Sequence, residues 1–134
     1  CYALLSDGEC NEGSIWEAAM LAAGRHVHQL TAIVDYNKWQ ATGRSQEVMA
    51  LEPLAAKWEA FGWHAQEIDG HDLTAIHQAL VAARAETNKP SVIVAHTIKG
   101  KGVSFMEDDN NWHYRTPNAD ELAAALAELK EVQL

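Results

Sequence analysis

The sequence predicts an α/β fold, a parallel sheet with helices on both faces. Three observations carry that expectation. Four short apolar runs, Tyr2–Leu5, Leu30–Val34, Trp63–Ile68 and Val92–Ala95, have strand length and composition. Segments with helical spacing separate them. An acid, an amide or a glycine-rich loop follows each run, at Asp7, Asn37, Asp69 and Thr97–Gly102. Strand, helical crossover and strand in alternation imply a parallel, right-handed arrangement. Ligands in such sheets bind beyond the carboxyl ends of the strands. All four of these positions then share one edge.

Each element has a local reason. Tyr2–Leu5 reads as a strand buried on both faces. Ser14–Ala23 reads as a helix whose Ala18, Ala19, Ala22 and Ala23 allow close packing, with Gly24 as its end. Leu30–Val34 is the second strand, and Asp35–Gln46 follows as a polar segment. Pro53 opens the next helix, where Leu54, Trp58 and Phe61 recur on one stripe and Gly62 closes it. Trp63–Ile68 is the third strand and Asp69–Asp72 a turn. Leu73, Ile76 and Leu80 mark the buried face of another helix, which Asn88–Pro90 terminates. Val92–Ala95 is the fourth strand. Lys99–Gly102 reads as a flexible basic loop, and Ser104–Pro117 as a long one. Asn118 caps a last helix carrying Leu122, Leu126 and Leu129.

Composition bounds the function. A chain of 134 residues that is 48% hydrophobic builds one modest core. A formal charge of −9 argues against a general nucleic-acid or anionic-membrane surface. It leaves room for a small anion neutralised locally by a cation or by backbone amides. No apolar run spans a bilayer and no secretion signal is visible. Cys1 and Cys10 form neither a disulfide framework nor a zinc spacing, which fits a reducing, cytoplasmic setting. The seven histidines are scattered without metal-ligand spacing. The chain begins without methionine, inside what reads as a strand. It therefore reads as a piece of a longer polypeptide, residues 1–134 forming a single partial domain.

The stretch Ser6–Gly13, "SDGECNEG", raises the chemical question. Asp-Gly after a strand is most often a plain turn. Asn37 by itself is also an ordinary turn residue. One strand–helix–strand unit of about 30 residues, however, brings Asp7 and Asn37 to adjacent strand ends. A carboxylate and an amide oxygen are hard donors suited to magnesium or calcium rather than zinc. Magnesium also takes phosphate oxygens and water. Gly8 admits close backbone contact, and the amides before Ser14 open a helix N-terminus. A diphosphate clamped by one magnesium ion satisfies these features together.

The segment from Ser6 to Gly43, "SDGECNEGSIWEAAMLAAGRHVHQLTAIVDYNKWQATG", resembles the thiamine diphosphate motif of the transketolase family. That motif opens with Gly-Asp-Gly and reaches Asn about thirty residues later. The resemblance runs on through "FGWHAQEIDGHD", "KPSVIVAHTIKGKGVSFME" and "WHYRTP". It is similar above all to the N-terminal section of short or split transketolases. Ser6 stands where the motif has its first glycine, and "WHYR" where relatives often read His-Gly. The resemblance implies that Asp7 and Asn37 give side-chain oxygens to Mg2+ or Ca2+, and Trp39 its backbone carbonyl. It implies diphosphate contacts from Gly8 and Asn37. It places His113 beside diphosphate and substrate as the catalytic residue, and Glu12 at the cofactor near a subunit interface. The implied activity is transfer of a two-carbon ketol unit between sugars. The partner would be a pyrimidine-binding domain or C-terminal transketolase subunit, in a homo-oligomer or heterotetramer. The isolated chain would be inactive or nearly so.

Two alternatives stay open on sequence. One is a related thiamine diphosphate enzyme of deoxyxylulose phosphate synthase or 2-oxo acid dehydrogenase type. The other is a non-catalytic assembly subunit or fragment. Outside the motif, His26, His28 and His77 read as surface residues and His64 as a strand residue. His71 reads as a hydrogen-bonding turn residue, and His96 as a strand end on the binding edge. Trp16, Trp58 and Trp63 read as packing groups.

Overall fold

The structure is a computed structural model that describes residues 1–131. Its elements in order are β1 (Tyr2–Ser6), α1 (Gly13–Gly24), β2 (Thr31–Tyr36), β3 (Trp39–Gln40), β4 (Gly43–Arg44), α2 (Ser45–Val48), α3 (Leu54–Ala60), β5 (His64–Asp69), α4 (Leu73–Ala85), β6 (Ser91–His96) and α5 (Ala119–Glu131). Four strands form one sheet in the order β1-β2-β6-β5, with every neighbouring pair parallel. The expected parallel α/β sheet is therefore the observed one. The register aligns Ser6 with Asp35, and Tyr36 and Asp69 with His96. The carboxyl ends of all four strands thus lie level along one edge.

Alternation along each strand sorts the side chains between the two faces. Ala32, Val34 and Tyr36 of β2, with Val92 and Val94 of β6, meet Ala19 and Ala22 of α1 and Leu54 and Trp58 of α3. This is the larger core. Trp16, Trp58 and Trp63 pack within it, ring centroids 5.2 and 4.8 Å apart. Trp63 Nε1–H donates to the Ala19 carbonyl (2.9 Å), joining β5's approach to α1. The three tryptophans are packing groups, as the sequence suggests. On the opposite face Ile33, Ile68 and Ile93 meet Ala79 and Ala83 of α4.

Only α4 covers that second face among the described residues, and this corrects two expectations. β1 is an edge strand with one open face: Tyr2 and Leu4 are 62% and 73% exposed. The uniform apolarity of Tyr2–Leu5 cannot separate burial on both faces from a face left open. Leu73 is 72% exposed, so α4 buries Ala79 and Ala83 instead, flanked by Leu80. The leucines of α5 are also about half exposed, and Ala125 is its buried residue. Two boundaries differ as well. α1 ends at Gly24 as expected but begins one residue earlier, at Gly13, and the left-handed residue after it is His26 (φ 53°) rather than a glycine. The polar segment Asp35–Gln46 contains the end of β2, the β3–β4 hairpin and the start of α2.

Asn118 does cap α5. Its Oδ1 accepts the Glu121 N–H and its own N–H donates to Glu121 Oε2, each at 2.9 Å, a reciprocal capping box. The Lys99–Gly102 segment is not an open loop but a series of turns. Lys101 N–H donates to the Ile98 carbonyl (3.2 Å), Val103 N–H to that of Gly100 (3.2 Å), and Asp108 N–H to that of Lys99 (2.9 Å). Gly100 sits at φ +73°, and a Cβ there would lie 2.5 Å from the Met106 carbonyl oxygen. Gly100→Ala is accordingly expected to destabilise the fold by more than about 1 kcal/mol, through the backbone conformation and the clash together. A lowered denaturant midpoint with an unchanged m-value is the predicted observation.

Candidate functional site

The site forms where β1 and β2 end side by side. Past Ser6 the chain turns sharply, and the turn holds itself. Ser6 N–H donates to Glu9 Oε2 (2.7 Å), and Glu9 N–H donates to Ser6 Oγ (3.2 Å). Serine in place of the motif's glycine therefore contributes a bond of its own. Asp7 N–H then donates to the Asp35 carbonyl (3.3 Å), extending the β1–β2 ladder by one step.

The Asp7 side chain points inward and is 1% exposed. Three donors from three segments meet its carboxylate. Gly8 N–H reaches Oδ1 (2.9 Å), while Lys38 N–H (3.0 Å) and Ser45 Oγ–H (2.6 Å) reach Oδ2. No Lys, Arg or His side chain pairs with it among the described residues. Burial raises its pKa above the ordinary carboxylate range, the three hydrogen bonds pull it back, and nearby Asp35 adds to the rise. The net direction is upward. A buried carboxylate held this way favours a cation beside it.

Asn37 and Lys38 leave β2 directly next to this group. Asn37 Oδ1 accepts the Trp39 N–H (3.0 Å), while Lys38 takes the left-handed conformation at φ 70°. That conformation costs a non-glycine residue about 1–2 kcal/mol. The bonds from Lys38 N–H to Asp7 and from Trp39 N–H to Asn37 flank it and hold it in place. Sparsely populated backbone of this kind gathers at functional sites. Asn37 opens onto a cavity of about 350 Å³ bounded also by Lys38, Arg44, Thr97, Ile98 and Asp108.

The β3–β4 hairpin and the segment after β6 close the far side. Asp108 accepts Trp39 Nε1–H (2.8 Å) and both guanidinium nitrogens of Arg44 (2.7 and 2.6 Å). These bonds hold the Asp108 carboxyl below its usual range, Arg44 contributing most. Asn110 Nδ2 donates to the Gln40 carbonyl (2.9 Å). A short helical turn, Asn110–His113, comes next.

The structure thus gathers Asp7, Gly8, Asn37 and Trp39 at one pair of strand ends. Glu12 and His113 stand apart from them. Both are exposed, and neither side chain hydrogen bonds to the strand-end group among the described residues. Glu12 occupies the N-cap position of α1 without a capping bond. His113 ends the Asn110 turn and stacks edge-on against Tyr114, 4.6 Å between centroids. His96 pairs with Glu67 (3.3 Å) and lies against Tyr36 (5.2 Å).

Sequence reasoning missed four residues here. Ser45, thirty-eight residues from Asp7, is fully buried against it. Lys38 contributes a backbone N–H, which no side-chain pattern signals. Asp108 lies in a segment without periodicity. Gln40 Nε2 is buried without a hydrogen-bond partner among the described residues. Its side chain lies over Gly8, where an added Cβ would meet Gln40 Cγ at 3.6 Å. An unpaired buried donor is unfavourable and marks a place for an acceptor. Together the carboxylate without a cation and the amide without an acceptor fit a metal-bound anion.

Comparison with known proteins bears on this arrangement. Residues 1–130 match the family model described as transketolase, thiamine diphosphate binding domain. The chain belongs to the transketolase family. A 6-deoxy-6-sulfo-D-fructose transketolase subunit SqwG of Clostridium sp. (strain MSTE9) is 48% identical over 130 residues, which are 97% of this chain and 47% of that protein. An apulose-4-phosphate transketolase subunit of Actinobacillus succinogenes is 42% identical over the same shares. The chain spans about half the length of the curated transketolase subunits it matches. The crystal structure of a Campylobacter jejuni transketolase superposes with a TM-score of 0.89 at 29% identity, covering 96% of this chain and 20% of that one. The sheet and flanking helices described above are therefore part of a transketolase thiamine diphosphate-binding domain.

The Ser45 contact gives a prediction for this transketolase-family site. Ser45→Ala removes a 2.6 Å bond to a buried carboxylate. It is expected to cost about 1–3 kcal/mol of stability and to push Asp7 further above the usual carboxylate range. The sign comes from linkage: the folded state binds the Asp7 proton more tightly than the unfolded one. Asp7's contribution to stability therefore falls as pH rises from the ordinary Asp range through the elevated one. Carbon-13 titration of the Asp7 carboxylate in both proteins checks the direction.

Proposed function

We propose that this chain supplies the metal-diphosphate half of a thiamine diphosphate- and magnesium-dependent transketolase, which transfers a two-carbon ketol unit between sugars. The observation that carries the reading is Asp7: a buried carboxylate, one residue past the β1 end, paired with no cationic side chain among the described residues, next to the end of β2 from which Asn37 leaves. Family membership supports the cofactor. The naming of similar proteins as transketolase subunits supports the reaction class.

In this reading Asp7 and Asn37 offer side-chain oxygens to the metal and Trp39 its backbone carbonyl. Such a donor set suits Mg2+ or Ca2+, both hard cations. Gly8, without a Cβ, admits the diphosphate to the backbone, and Gln40, whose side chain lies over Gly8, offers its unpartnered Nε2–H as a further donor. Thiamine diphosphate, when bound, supplies the carbon nucleophile that carries the two-carbon unit. The chain's own residues bind and orient it. Asp7 balances the cation, while Gly8, Lys38 and Ser45 keep the carboxylate aimed. Arg44 and Asp108 brace the hairpin that carries Trp39. His113 stands at the end of a turn anchored to Gln40 and is the residue we assign to proton handling at the substrate. Glu12, exposed at the start of α1, lies toward the subunit that completes the site.

That partner is a pyrimidine-binding domain or a C-terminal transketolase subunit, in a homo-oligomer or heterotetramer. Tyr2 and Leu4 on the open face of β1 are large exposed apolar groups that support a contact surface there, and Met20 and Leu21 of α1 are exposed apolar groups on the other side of the sheet.

Thermal unfolding with Mg2+ and thiamine diphosphate tests the reading. Both together at 100 times the dissociation constant stabilise the native state by about 2.7 kcal/mol. Asp7→Ala and Asp7→Asn each abolish that ligand-dependent increment, whatever they do to the ligand-free protein. An increment that survives in both variants contradicts the assignment.

A further inference from the structure

We propose that His71 is a positioning residue: alongside Thr97, its imidazole anchors the start of the segment Ile98–His113, and so helps set where His113 stands relative to the strand-end site. The inference rests on the functional reading above only in its last clause.

The observation is a hydrogen bond between backbone and side chain. Ile98 N–H donates to His71 Nε2 at 2.8 Å. No other bond is made by that N–H among the described residues. For Nε2 to accept, the ring proton of the neutral imidazole must sit on Nδ1. The surrounding geometry explains why an imidazole is placed there. β5 and β6 run parallel to Asp69 and His96, and Gly70 N–H then donates to the His96 carbonyl (2.8 Å). Past that point the backbone of the turn leaves the sheet. The His71 side chain takes over as acceptor for the next N–H of the departing β6 strand.

The turn is built to present the ring. Asp69 Oδ1 accepts the His71 N–H (2.8 Å), and Asp72 Oδ1 caps α4 through Thr74 N–H (2.8 Å) and Ala75 N–H (3.2 Å). At Gly70 an added Cβ would lie 2.5 Å from Thr97 Cγ2 and 3.1 Å from the His96 carbonyl oxygen. Only a residue without a side chain lets the turn come that close to the end of β6.

The chain beyond Ile98 reaches the site. Lys99 O accepts from Asp108 N–H, and Asp108 binds Trp39 and Arg44. Asn110 then binds the Gln40 carbonyl. The segment is thus pinned at its far end to the β3–β4 hairpin, and at its near end both to His71 and to β2, where Thr97 N–H donates to the Tyr36 carbonyl (3.2 Å) and Thr97 Oγ1–H to Asp35 Oδ1. Loss of the His71 bond leaves Thr97 tied to β2 but releases the Ile98 N–H and loosens the turns built on the Ile98 carbonyl, starting with Lys101 N–H (3.2 Å).

The test uses hydrogen exchange of peptides spanning residues 97–109 in the intact protein that contains this chain. His71→Leu keeps bulk and removes the acceptor. His71→Gln offers Oε1 near the position of Nε2. His71 is exposed, so both variants are expected to fold; far-UV circular dichroism and the unfolding midpoint verify it. His71→Leu should exchange about tenfold faster in this segment, the factor set by one net hydrogen bond. His71→Gln should restore most of the protection, and His77→Leu, an exposed site on α4, should leave it unchanged. Equal protection in His71→Leu and wild type overturns the proposal, as does a His71→Gln variant no better than His71→Leu. For turnover, the account expects His71→Leu to lower kcat more than it raises KM, with partial recovery in His71→Gln. Exchange altered as expected with kcat and KM unmoved overturns the link to His113 alone. Wild-type protein without ketol transfer overturns the functional reading and leaves the exchange result standing.

Discussion

A carboxylate that is almost wholly withdrawn from water must be compensated, and the architecture around Asp7 is set by how this is done. Three hydrogen bonds reach it from Gly8, Lys38 and Ser45, which lie on three separate segments of the chain. Hydrogen bonds to a charged group are among the stronger ones in proteins. They are not enough to bring Asp7 to the ordinary carboxylate range, because burial outweighs them. The surplus of negative charge remains at the end of β1. A divalent cation beside it would lower that cost and would in turn draw in an anion, which a chain of net charge −9 otherwise repels.

The same bonds shape the local backbone. Lys38 is held at positive φ by the Asp7 contact on one side and the Asn37–Trp39 contact on the other. Its turn launches the short hairpin, and the hairpin offers Trp39 and Arg44 to Asp108. The long segment after β6 is thereby fixed over the carboxyl edge of the sheet. A site assembled from β1, β2 and the β6 loop depends on all three being parallel and in register, which the apolar layers under them impose.

Much of this was legible from residue patterns. The four strands of the main sheet, the helices α1, α3, α4 and α5, and the shared edge of Asp7 and Asn37 come from apolar periodicity and crossover logic. What escaped was whatever depends on contacts between distant segments. Tyr2 and Leu4 look like core residues by type, yet no element of the described residues covers them. Two-residue strands such as Trp39–Gln40 and Gly43–Arg44 are too short to leave a period. Ser45 and Gln40 are common polar residues whose importance comes from burial alone. Lys38 acts through its backbone, which carries no sequence signature. His71 was readable as a turn residue, but its acceptor role toward Ile98, twenty-seven positions away, was not.

The central claim is that a divalent ion sits between the Asp7 carboxylate and the Asn37 carboxamide and there holds a diphosphate. Crystals grown with thiamine diphosphate and Mn2+, a magnetically and crystallographically visible substitute for Mg2+, address it most directly. The account predicts an anomalous difference peak within bonding distance of Asp7 and Asn37, with diphosphate density running from it past Gly8. Cofactor density elsewhere, or bound cofactor with no peak beside those two oxygens, would contradict it.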